Sequence, residues 1–249
     1  MSMTMSSALP DNKAAGVALV LGVLLSFLAV LFLPGGTLID PADQTDFPAA
    51  VAALADNANI SHATTLLFIL ALLLEAYGLL ALFRLADMDG SVATAALRFG
   101  LVGVVFSMGL YIVELGTWHM VVHTLTHGLG GSVGQADLED FAVVIFAMGG
   151  AVHFAFLAIA SLASIFLGFG LVSRFAELNI YKLASYGMIF VGAAGLLNLI
   201  VVQHIHDIDL NLIALISNVL LTIGAICYFI FGVGMYFGRS AFASGEASG

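Results

Sequence analysis

Read for hydropathy alone, the chain is six long apolar runs separated by short polar breaks. The runs cover about 14–33, 62–83, 98–127, 137–173, 183–204 and 210–238. Each matches or exceeds the ~20 residues that carry an α-helix across a ~30 Å hydrocarbon core. Backbone amides find no water there, so only helices or a closed barrel satisfy them, and runs this long and continuous are not barrel strands. The pattern predicts an all-α, polytopic membrane protein, a single six-helix transmembrane domain over 1–249. The first run is long for the core of a signal peptide, and no small-residue cleavage site precedes Pro34-Gly35-Gly36, so it is expected to persist as a span.

The breaks carry a pattern of their own. Residues 34–60 hold Asp40, Asp43, Asp46 and Asp56 and no Lys or Arg. Asp46 is placed to cap a helix with Pro48 in its first turn. Phe47, Ala50, Val51, Leu54 and Ala55 then recur at helical spacing, which predicts a short amphipathic helix lying on the membrane or capping the bundle. The third and fourth runs would make helices of about 45 and 55 Å, longer than the core is thick. They predict a hairpin extended on the outer side, with a break at Gly149-Gly150. The apolar stretch 141–148 within it needs cover from the 34–60 loop or from a partner.

Composition agrees with this class: 61% of residues are hydrophobic and 9% charged, where a soluble domain has about a quarter charged. Placement of charge adds orientation. All six basic residues (Lys13, Arg84, Arg98, Arg174, Lys182, Arg239) fall in the tail and breaks of one side; the other three breaks hold nine acidic residues and no basic one. By the positive-inside rule both termini are cytoplasmic and the chain crosses the inner or plasma membrane six times. No basic patch exists to bind nucleic acid. Cys227 is alone, which excludes an intramolecular disulfide, and it reads as a small buried hydrophobe.

The even-numbered runs resemble one another: His62, His153 and Asn218 lie 22, 21 and 21 residues before Arg84, Arg174 and Arg239. Three related hairpins would give this pattern, and so would any set of membrane helices with a polar residue at each end. At ~1.5 Å per residue the spacing is about one hydrocarbon thickness. Measured likewise from Arg98 and Lys182, all seven histidines collect at or beyond the outer boundary.

His119, His123 and His127 form one stripe at steps of four. With His62, His153, His204 and His206 they are candidate ligands for copper, zinc or a b-type haem, and Asp207 and Asp209 are candidate supports for the ligands. No H-E-x-x-H, Cys/His zinc or C-x-x-C-H pattern accompanies them, so the competing reading is a set of interfacial histidines. Trp118 and Tyr111 read as interface anchors. Past the acidic first turn of the fourth run, Glu75 and Glu114 are the carboxylates inside the runs, and are candidates either for a proton route or for a protonated hydrogen bond between helices. Glu114 is about 140° round its helix from His119, off the histidine stripe. Ala160, Ser164 and Gly168, and Gly187, Gly192 and Gly195, mark close helix packing.

Two functional readings follow. The first is a membrane metal- or haem-binding protein with its histidine cluster on the extracytoplasmic face, a subunit of a redox complex or monooxygenase. The second is a small transporter or channel, or an assembly subunit without catalytic activity. Beyond the lipid bilayer, either calls for another membrane subunit or a second copy of the chain.

Overall fold

The computed structural model describes residues 11–43, 45–86, 91–130, 134–175, 177–204, 210–239 and 242. It is helical nearly throughout. The spanning helices are α1 (Asn12–Phe32), α3 (Ala58–Leu80, continued by a 3₁₀ turn over Ala81–Ala86), α4 (Val92–His127), α5 (Gln135–Val172), α6 (Ile180–His204) and α7 (Leu210–Tyr236). A shorter helix, α2 (Phe47–Asp56), lies between α1 and α3. Six helices are thus long and apolar enough to cross a membrane. At ~1.5 Å per residue, the 36 residues of α4 and the 38 of α5 give about 54 and 57 Å.

Local chemistry sets the helix starts. Asp11, Asp46 and Ser91 each turn a side-chain oxygen onto an orphan amide of the first turn, at Lys13, Ala49 and Thr94. Pro48 occupies the first turn of α2, where its missing N–H costs nothing. Asp43 accepts from the Thr45 hydroxyl and amide and from Asn211 at the start of α7. These bonds hold its carboxyl below the ordinary aspartate range, so the contacts last to lower pH than an unbonded aspartate would keep them.

Consecutive spanning helices run antiparallel, and α7 returns to α1, so the six form a closed ring in chain order. One end is basic. There Asn12 donates to the Phe242 carbonyl at 3.0 Å, Arg98 to the Ala86 carbonyl at 2.9 Å, and Arg174 to the Thr94 hydroxyl. The other end carries the described histidines. A main core of Leu19, Leu79, Leu101, Leu167 and Phe231 fills the middle, and a second joins Ala50, Val51 and Leu54 of α2 to Val121 and Val122 of α4 and to Ala142 and Phe146 of α5. So α2 lies against the extended hairpin and covers one face of it; Phe141, Val144 and Met148 on the other face stay exposed.

One sequence expectation changes. Gly149-Gly150 does not break the hairpin: α5 is continuous through it. Gly149 instead gives up its side chain because the Thr117 side chain of α4 occupies that space. Tyr111 and Trp118 are half-buried, Tyr111 stacked on Phe156 at 4.6 Å and Trp118 on Phe146 at 6.5 Å.

The α4–α5 pair should respond sharply to added volume. A Cβ on Gly100 would strike the Leu167 backbone, whereas the space at Gly150 is open. Gly100→Val is expected to cost about 1–3 kcal/mol through overpacking and Gly150→Ala almost nothing. Thermal unfolding in detergent, followed by circular dichroism, checks the contrast.

Candidate functional site

The polar side chains of the histidine half fall into separate groups, each built by one pair of neighbouring helices. The deepest is Glu75 of α3, 5% exposed. A carboxyl in hydrocarbon needs a partner, and the partner comes from α1: Ser26 Oγ donates to Glu75 Oε1 at 2.7 Å. The spacing of α1 makes this contact. Gly22 lies one turn before Ser26, and a Cβ there would sit 2.7 Å from Glu75 Cγ. The glycine clears the seat and the serine supplies the bond.

Glu114 of α4, 3% exposed, is held the same way from the other side of its helix. Its Oε2 lies 2.8 Å from His153 Nδ1 of α5, whose side chain is 32% exposed. Gly149, one turn before His153, brings α5 against Thr117 of α4, and the Thr117 hydroxyl is turned back onto the Glu114 carbonyl at 2.7 Å. Tyr111, one turn below Glu114, touches His153 and Phe156 of α5 and Phe68 of α3 with its ring. Tyr111 is half-buried. Tyr111 thus packs beside His153 where α3, α4 and α5 meet, a contact its sequence position does not disclose.

The third group is at the end of the bundle. His62 of α3 and His119 of α4 face each other with Nδ1 atoms 2.9 Å apart and ring centroids 4.4 Å apart. At that distance one nitrogen carries the proton and the other accepts it, so the two rings cannot both be imidazolium. His123 and His127 continue along α4 with their rings stacked at 4.7 Å, and both lie within electrostatic reach of His62. His127 also bonds the Thr126 hydroxyl at 2.7 Å. His204 is apart from these, its Nδ1 on the Ile200 carbonyl of its own helix at 2.9 Å. His206, Asp207 and Asp209 lie outside the described residues.

The seven candidate ligands thus do not enter one shell. Among the described residues, no three His, Cys, Asp or Glu side chains are grouped closely enough to hold an ion. What the structure brings together is the pair His62–His119, with His123 and His127 beyond it. Elsewhere the bundle offers an apolar groove of about 480 Å³ between α6 and α7, lined by Leu183, Phe190 and Cys227, and a void of about 10 Å³ under α2. Neither is lined by a histidine or by Glu75 or Glu114.

If the Glu114–His153 bond holds α4 to α5, its worth should appear as coupling. The double-mutant cycle of Glu114→Ala and His153→Ala is expected to give about 1 kcal/mol, the scale of interhelical hydrogen bonds in membranes. Reversible unfolding in mixed micelles measures it, and additive effects would deny the bond any energetic part. No known protein family, curated protein or solved structure matches this chain.

Proposed function

We propose that the protein is an integral membrane metal-binding protein that holds copper(II) on His62 and His119, with the histidine end facing outside. The observation behind this reading is the 2.9 Å between the two Nδ1 atoms. Neutral imidazoles from two neighbouring helices would hold copper(II), the divalent first-row ion that nitrogen donors bind most tightly. With two protein nitrogens, the remaining positions are open to water, substrate or a donor from a partner, as at catalytic metal centres. His123, one turn beyond His119, is the nearest further imidazole on α4. His153 and His204, whose Nδ1 atoms are already engaged, stay outside the set.

The gathering of arginines at the opposite end supports the orientation through the positive-inside rule. The exposed Phe141, Val144 and Met148 of α5 leave a face for a partner to cover, which suits a subunit of a membrane oxidoreductase or monooxygenase.

Purified protein is expected to take up copper(II) stoichiometrically, with an electron paramagnetic resonance spectrum showing coupling to two nitrogens. His62→Ala and His119→Ala should each weaken binding about 100-fold or more, and His204→Ala should not. Binding should fall away in acid, because the ligands must be neutral to hold the ion. Equal binding by the His62→Ala and His119→Ala proteins would remove the proposal.

A further inference from the structure

We propose that the groove between α6 and α7 binds an acyl chain of an anionic phospholipid from the leaflet at the basic end, with Lys182 and Arg239 meeting the headgroup. The site shares no residue with the histidine end, so it stands apart from copper binding.

The groove is written into the sequence of α6. Ile180, Leu183, Ala184 and Gly187 fall at i, i+3, i+4 and i+7, one stripe of the helix. Ala184 is buried and Gly187 half-buried, whereas Leu183, Tyr186 and Phe190 are exposed. The small residues make a floor and the large ones a wall. A Cβ on Gly187 would lie 2.9 Å from Cys227 Sγ, so the floor meets α7 there. Cys227 and Ile230, three residues apart on α7, close the other side. The result is a carbon-lined channel of about 480 Å³ between the two least buried of the six spans.

Its depth fits a lipid chain better than a protein segment. Ile180 to Phe190 is ~15 Å of helix, about half of a ~30 Å hydrocarbon core. The channel therefore starts at the basic boundary and stops near mid-membrane, within one leaflet. A spanning helix, from a second copy or another subunit, is twice that long and about 10 Å wide, and would need a face along the whole of α6.

Charge at the mouth of the channel specifies the headgroup. Asn179 caps α6 at the Tyr181 and Lys182 amides, which fixes Lys182 in the first turn. A long side chain there leans toward the helix N-terminus and carries its ammonium out toward the headgroups. The end of α7 arrives at the same place: a Cβ on Gly234 would strike the Tyr181 ring. Gly238, at φ 59°, turns the chain back so that the Arg239 amide donates to the Gly234 carbonyl at 3.2 Å. Lys182, beside Tyr181, and the exposed Arg239 thus stand at one end of the channel. Glu177 is the acidic side chain among the described residues of the α5–α6 turn, so the two cations outnumber it. Basic residues between spanning helices on the cytoplasmic side recognise anionic headgroups in this way. A neutral apolar ligand would fill the channel but gain nothing from the cations.

Protein in a mild neutral detergent, titrated with phosphatidylglycerol or with phosphatidylcholine of identical chains, tests this by native mass spectrometry of the retained lipid. Phosphatidylglycerol is expected to bind roughly tenfold or more tightly. Lys182→Ala with Arg239→Ala should bring the two affinities together. Leu183→Ala with Phe190→Ala removes the wall at exposed positions, where folding is little affected, and should weaken both lipids about tenfold. Equal retention of the two lipids by the native protein would overturn the proposal. So would a headgroup preference that survives loss of both cations, or lipid binding unchanged by loss of the wall. A dimer that Leu183→Ala with Phe190→Ala breaks apart would assign the groove to a second copy and overturn it as well.

Discussion

Hydrocarbon offers a carboxyl neither a hydrogen bond nor a counter-ion, and burial without a partner costs several kcal/mol. Two carboxyls enter this bundle, so each must be met from a neighbouring helix, and the arrangement of four spanning helices follows from that requirement. Glu75 is met by α1 and Glu114 by α5. Because α3 and α4 are themselves neighbours, the two bonds link α1, α3, α4 and α5 in one series. The apolar core alone would not choose this register, since lipid competes with helix for every leucine and only packing and polar contacts discriminate.

Both carboxyls are met by the same device. On α1 a glycine at 22 precedes a serine at 26; on α5 a glycine at 149 precedes a histidine at 153. In each helix the glycine lets the backbone come close to the partner helix, and the polar residue one turn away then reaches the carboxyl. A larger residue at either glycine would move the helix outward and strand the carboxyl. The glycines and the buried acids are therefore one structural unit, although they lie on different helices and far apart in the chain.

This explains what the sequence disclosed and what it withheld. Hydropathy alone marks six membrane-length helices, and the step of four marks the histidine stripe, because both are local periodicities. The partners of Glu75 and Glu114 are not local: Ser26 is 49 residues from Glu75 and His153 is 39 from Glu114. Reading Gly149-Gly150 as a break failed for a related reason. In water a glycine pair weakens a helix, but between two membrane helices it admits a neighbour's side chain, and only the neighbour's position tells the cases apart. The contacts of the Tyr111 ring with Phe68, Phe156 and His153 are equally non-local, since all three lie on other helices. The Gly-x-x-x-His and Gly-x-x-x-Ser spacings were the available signal, and they gain meaning only beside an unpaired acid on another span.

The angle between Glu114 and His119 now has a physical role. About 140° of helix separates them, so α4 presents its carboxyl to α5 and its imidazole to α3. One helix thus addresses two neighbours with two kinds of chemistry at nearly the same depth. Had the two residues shared a face, the Glu114 carboxyl would have turned toward α3 and away from its His153 partner. Turning the acid toward His153 leaves the His62–His119 contact between two nitrogens with no carboxylate bonded to either. The separation lets one helix serve two neighbours without either contact competing for the other's partner.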